Sequence, residues 1–80
     1  EMTERMTEQW FLARADRVKA AVQTAVDEAG AYGSDQLVAD HEWIQYVHDH
    51  VHVVEEDGQR VVDDEATARR LEELAERYRV

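Results

Sequence analysis

The dipeptide Asp57-Gly58 between two valine-rich runs is the feature that most constrains the fold. Asp-Gly favours a two-residue type I′ turn, because Gly adopts positive φ freely and Asp does so better than most residues. The sequence therefore predicts a β-hairpin whose register follows by counting outward from the turn. The predicted cross-strand pairs are Glu56 with Gln59, Glu55 with Arg60, Val54 with Val61, and Val53 with Val62.

The two faces of this predicted hairpin both carry valines. Side chains alternate along a strand, so Val54 and Val61 share one face while Val53 and Val62 share the other. Helices on one side only cannot cover both faces, and we expect the face of Val54 and Val61 to stay open for contact with another chain. A three-residue loop would exchange the two faces.

Apolar residues repeat at intervals of three and four in three segments, which predicts three helices. These cover about residues 7–29, 35–50 and 65–79. Gly30 is the predicted end of the first helix. The candidate N-caps are Thr3 or Thr7 for the first helix, Ser34 or Asp35 for the second, and Asp63 or Asp64 for the third.

Together these elements predict an α+β fold, with two helices, a β-hairpin and a C-terminal helix around one small core. We expect residues 1–6 to fray and residues 7–80 to form a single domain. The predicted core consists of Phe11, Val18, Val22, Val26, Leu37, Ile44, Val47, Val53, Val62, Leu71, Leu74 and Tyr78.

The order helix, helix, hairpin, helix is similar to that of winged-helix domains, by analogy of element order alone. The analogy implies DNA-binding transcriptional regulation, with the second helix as recognition helix and the hairpin as wing. However, the segment 34–51 has room for one helix, whereas a helix-turn-helix needs two.

Charge also disfavours nucleic acid. The 80 residues carry 19 acidic and 9 basic side chains, for a formal net charge of −10, and no lysine or arginine lies between Lys19 and Arg60. Duplex binding draws much of its affinity from cations at phosphates, so this acidic middle segment favours partners with basic surfaces. The single lysine suits a protein from a salt-loving organism, and arginine use in a GC-rich genome is the alternative explanation.

No apolar run approaches the ~20 residues of a membrane span, and the first residues do not resemble a signal peptide. The chain contains no cysteine, which fits a reducing compartment. We therefore expect a cytoplasmic protein with no membrane contact.

The four histidines cluster between residues 41 and 52. If the strand begins early, His48, His50 and His52 alternate onto one face and form a candidate site for Zn or Ni. If the helix persists, His41, His48 and His52 share one side instead. The alternative is that these rings pack at helix edges or pair with acids, and then the chain holds no cofactor.

Catalysis has little support in the sequence. Ser34 is the only serine and is explained as a helix cap, and no glycine-rich loop or distinct carboxylate pair is present. We therefore predict that the chain is not an enzyme.

The predicted function is that of an acidic interaction or regulatory module that docks a protein partner with a basic surface, or a second copy as a dimer. The predicted partner-binding residues are Trp43, Tyr46, Val54 and Val61. Trp43 and Tyr46 lie beside the apolar stripe of the second helix, so they could mark a contact surface. The alternatives are a winged-helix-like DNA-binding regulator and a histidine-cluster metal-binding module.

Overall fold

The computed structural model describes residues 6–80, and its fold class is α+β, as predicted. A one-turn 3₁₀ helix joins the first two helices, and the two strands form an antiparallel sheet. The elements are α1 (Glu8–Ala29), the 3₁₀ helix (Gly30–Tyr32), α2 (Asp35–His50), β1 (Val53–Glu56), β2 (Gln59–Val62) and α3 (Glu65–Arg77).

Each α-helix begins at a side-chain cap, and the structure selects one of the two candidates that the sequence offers for α2 and α3. Thr7, Ser34 and Asp64 each accept a hydrogen bond at 3.1 Å from the backbone N–H three residues later. A short polar side chain at this position satisfies a backbone donor that has no partner within the helix. Helix α1 ends at Ala29, and the next residue, Gly30, caps it with a φ of +58° that suits glycine.

The hairpin has the predicted register. Asp57 and Gly58 have φ of +53° and +78°, the pair of positive values that a type I′ turn requires. This match confirms the two-residue loop and excludes the three-residue alternative. The observed pairs are Val53 with Val62, Val54 with Val61, Glu55 with Arg60, and Glu56 with Gln59.

The chain enters α1 along the outer edge of β2. The backbone N–H of Val62 donates to the Met6 carbonyl at 2.8 Å, and Thr7 forms a β-bridge with Val61. The Arg60 guanidinium also donates to both carboxylate oxygens of Glu8, at 2.7 and 3.2 Å. Of the six residues expected to fray, 1–5 lie outside the described residues, and Met6 is held against the sheet.

The helices pack side by side. Gln23 contacts His41 at 3.1 Å, and Asp16 contacts His48 at 3.7 Å. Numbers fall along α1 as they rise along α2, so the two helices are antiparallel. The buried hydrophobic residues that form one cluster are Phe11, Ala15, Val18, Val22, Ile44, Val47, Val62, Leu71, Leu74 and Ala75.

The composition of the core corrects two expectations. Val26, Leu37 and Tyr78, predicted in the core, are partly buried and pack against its edge. Val53, also predicted in the core, is half-buried. Val61, predicted to be open, is buried with 5% exposure. The physical reason is that the N-terminal segment pairs with β2 at Val61, a third piece of extended chain that local sequence patterns did not reveal.

Candidate functional site

The main candidate for a binding surface is a shallow groove between α2 and α3. Trp43 and Tyr46 are three residues apart on α2 and therefore lie on the same side of the helix. Trp43 is half-buried and packs against the core, while Tyr46 is 55% exposed. We call this surface the α2–α3 groove. It has a volume of about 300 Å³ and is lined by Ala39, Glu42, Trp43, Tyr46, His50 and Arg70.

A cation already lies on the Trp43 ring. The guanidinium carbon of Arg70 is 4.8 Å from the centre of that ring, within the ~6 Å at which the negative face of an indole attracts a cation. Arg70 comes from α3, so this contact joins the two walls of the groove. The groove therefore combines aromatic carbon with one positive and one negative side chain, Arg70 and Glu42.

Several other arginines are bound to carboxylates. The closest contacts run from Arg14 Nε to Glu72 Oε2, at 2.6 Å, and from Arg60 Nε to Glu8 Oε1, at 2.7 Å. Arg60 lowers the pKa of the Glu8 carboxyl, chiefly through its hydrogen bond. These guanidinium groups would have to break charge-assisted bonds before binding phosphate.

The winged-helix analogy gains no support from the arrangement of the helices. Helix α2 lies antiparallel against α1, while a DNA-reading helix-turn-helix crosses its two helices at about 90–120°. Helix α2 contains no lysine or arginine, and neither does the loop at the tip of the hairpin. These two segments therefore offer no lysine or arginine to DNA phosphates.

The structure contains a buried carboxylate, Asp40, that the sequence did not predict. Asp40 belongs to α2, is 1% exposed, and lies against the C-terminal end of α3. Its Oδ2 accepts hydrogen bonds from Arg77 Nη1 and the Tyr78 hydroxyl, both at 2.7 Å, and its Oδ1 accepts one from Gln36 Nε2 at 3.0 Å. Burial, together with this bond to Asp40, raises the pKa of Tyr78 to about 12.

A signal for this network was present in the sequence. The apolar stripe of α2 includes Leu37, Ile44 and Val47, and either Asp40 or His41 fits its spacing. The sequence prediction placed His41 there, whereas the structure buries Asp40. An acid at a core position, with an arginine and a tyrosine near the chain's end, is the pattern that could have revealed the site.

The structure does not bring the three candidate metal ligands together. The strand interpretation is wrong, because α2 continues to His50 and β1 starts only at Val53. His48 and His50 are thus helical, and His52 lies in the connection between the two elements. Within the described part of the chain, no group of three or more His, Cys, Asp or Glu residues could hold a metal ion. Binding of Zn or Ni stays a prediction.

The four predicted partner-binding residues are placed in two different regions. Trp43 and Tyr46 line the α2–α3 groove. On the hairpin, Val54 is half-buried and Val61 is buried, so Val61 offers almost no surface to a partner. Of the four predicted contact residues, Tyr46 is the exposed one, while Trp43 is half-buried like Val54.

No helix within residues 6–80 is long and apolar enough to cross a membrane. In comparisons with family models, curated proteins and solved structures, none matched this chain.

Proposed function

We propose that this chain is a non-enzymatic interaction module that binds a protein partner in the α2–α3 groove. The observation that carries the proposal is the position of Tyr46, a large ring that is 55% exposed beside the half-buried Trp43. Tyrosine and tryptophan side chains are frequent energetic anchors of protein interfaces, because each buries a large area at low cost in conformational entropy.

Charge indicates the kind of partner. The chain has a formal net charge of −10, and Glu42 is a negative group in the lining of the groove. A basic partner is attracted from a distance and associates faster, whereas a second copy with the same negative charge is repelled. A partner with an apolar side chain flanked by basic residues therefore fits this surface best.

A peptide display library panned on the immobilised domain tests the proposal. We expect the wild type to enrich sequences that combine an apolar residue with lysine or arginine. The Tyr46→Ala variant should lose these sequences, because it removes the exposed ring of the groove. The matched control is Tyr32→Ala, since Tyr32 is 94% exposed and lies before the start of α2, and that start is about 16 Å along the helix from Tyr46. It should enrich the same sequences as the wild type.

Two results would contradict the proposal. One is enrichment of the same peptides by the wild type and by Tyr46→Ala, which would place binding elsewhere on the chain. The other is sedimentation showing a dimer that Tyr46→Ala dissociates and Tyr32→Ala does not, which would make a second copy the occupant of the groove.

A further inference from the structure

We propose that the α2–α3 groove recognises an arginine side chain of its partner, and that this arginine takes the place of Arg70 on the ring of Trp43. The inference rests on the proposed function and adds the chemistry of recognition. In the unbound chain, Arg70 acts as an internal substitute for the ligand.

The Trp43 ring already binds a guanidinium. Arg70 lies 4.8 Å from its centre, which shows that the approach to the ring is wide enough for a planar cation. Arginine suits such a surface better than lysine, because its guanidinium is flat and only weakly hydrated and so stacks on aromatic rings.

Arg70 is held less firmly than the arginines that pair with carboxylates. Arg14, Arg60 and Arg77 each donate to a carboxylate at 2.6 to 2.7 Å. The contact that the structure shows for Arg70 is instead the ring of Trp43, and Arg70 itself is exposed. An exposed cation–π contact is weaker than a bidentate ion pair with a carboxylate, so Arg70 can leave the ring for water at low cost.

An arginine of the partner gains contacts beyond those that Arg70 makes. Glu42 and the exposed ring of Tyr46 lie in the same groove and offer the second guanidinium a carboxylate and another aromatic face. The overall negative charge attracts the partner's arginine as well. Arg70 competes with the partner's arginine for the ring. The apparent affinity for the partner is therefore reduced to the fraction of molecules in which the ring is free of Arg70.

Fluorescence of Trp43 tests the exchange directly. The chain has two tryptophans, so a Trp10→Phe background leaves Trp43 as the only reporter. The probe is an acetylated and amidated pentapeptide with one arginine between leucines. Two matched peptides carry lysine or citrulline at the same position, and citrulline keeps the shape of arginine without its charge. We expect the arginine peptide to bind about two- to five-fold more tightly than the lysine or the citrulline peptide.

The decisive comparison is between two neighbouring arginines of α3. Arg70→Ala empties the Trp43 ring, and we expect it to bind the arginine peptide about two- to five-fold more tightly. Arg69→Ala removes the same charge, but Arg69 lies 3.7 Å from Glu65 rather than over the tryptophan. It should change the affinity much less. Both side chains are exposed, so both variants should fold, and circular dichroism checks this.

The outcomes separate this inference from the proposed function. Equal affinity for the arginine and citrulline peptides, or equal effects of Arg70→Ala and Arg69→Ala, would overturn the exchange. If both of those peptides bind alike and Tyr46→Ala abolishes binding, the groove remains the partner site and only the arginine exchange is rejected. Absence of any Trp43 response at about millimolar arginine peptide would also overturn it, and the library experiment would then decide the proposed function alone.

Discussion

Asp40 is a carboxylate with 1% exposure whose hydrogen-bond partners come from its own helix and from the end of α3. Burying an ionised carboxylate costs several kcal/mol unless donors and a counter-charge compensate for the lost water. Arg77 supplies the charge while remaining 41% exposed, so only one ion of the pair is fully removed from solvent. The network fixes the C-terminal end of α3 against α2.

Replacement of Asp40 should therefore destabilise the fold. We expect Asp40→Ala to lower the free energy of unfolding by about 2–3 kcal/mol, because it leaves the Tyr78 hydroxyl and Arg77 without their acceptor. Tyr78→Phe should cost about 1 kcal/mol, and the double variant less than the sum of the two, since they share one bond. Urea unfolding measures all three. The control is Asp49→Asn, at an exposed position on the same helix. If Asp49→Asn lowered the free energy of unfolding as much as Asp40→Ala does, the stabilising role of Asp40 would be contradicted.

The raised pKa of Tyr78, about 12, predicts a loss of stability in alkali. An unfolded tyrosine titrates near ~10, so the folded chain holds this proton more tightly. The associated stability is complete below about pH 10 and is lost as the pH rises through 12. Urea unfolding between about pH 9 and 12 should show a steeper decline for the wild type than for Tyr78→Phe. Parallel curves would mean that this hydroxyl does not contribute.

At the scale of elements, the hairpin and the start of α1 behave as one unit. The turn sets the register of β1 and β2, and Met6 and Thr7 extend the pairing on the other edge of β2. A two-stranded hairpin alone is at best marginally stable in water. The added backbone pairing, together with the packing of β2 on α1, explains why such a short ribbon is held in place.

The backbone conformations of Gly58, in the hairpin turn, and Gly33, before α2, predict different effects of substitution by alanine. Gly58 has φ of +78°, so Gly58→Ala should cost about 1–2 kcal/mol, because a Cβ clashes in the left-handed region. Gly33 has φ of −63°, and a Cβ there would make an ordinary 3.5 Å contact with Leu37. Gly33→Ala should be neutral or stabilise by up to about 1 kcal/mol. Thermal unfolding of the two variants measures the difference, and similar losses at both sites would refute the turn assignment.

At the scale of the whole molecule, small size and high net charge both limit the stability of the fold. The described residues form an elongated body of 47 × 24 × 17 Å, and its one core cluster draws on α1 only as far as Val22. A small core has little stability to spare, and the formal net charge of −10 adds repulsion within the folded state.

Stability should therefore increase with salt. Raising NaCl from about 0.02 to 1 M shortens the screening length from over 20 Å to about 3 Å and weakens repulsion among the acids. We expect a gain of about 1 kcal/mol, or about 4–8 °C in melting temperature. The double variant Glu28→Gln/Asp49→Asn, which removes two exposed negative charges, should depend less on salt. A melting temperature that falls with salt would show that ion pairs such as Arg60 with Glu8 outweigh the repulsion.

The sequence by itself determined whatever depends on neighbouring residues. Helix periodicity, the Asp57-Gly58 turn and the caps act over a few positions, so the hairpin register, the helix bounds and most of the core were predictable. The position of Trp43 and Tyr46 beside the apolar stripe of one helix followed in the same way, although only Tyr46 is exposed and Trp43 is half-buried.

Only the tertiary structure decided the features made by contacts between distant parts of the chain. Asp40 is buried because Arg77 and Tyr78 reach it from α3, and Val61 is buried where the chain pairs with β2 before entering α1. Arg70 lies on Trp43 because α3 packs beside α2. No local sequence pattern specifies these contacts, since each depends on how whole helices and strands pack around one small core.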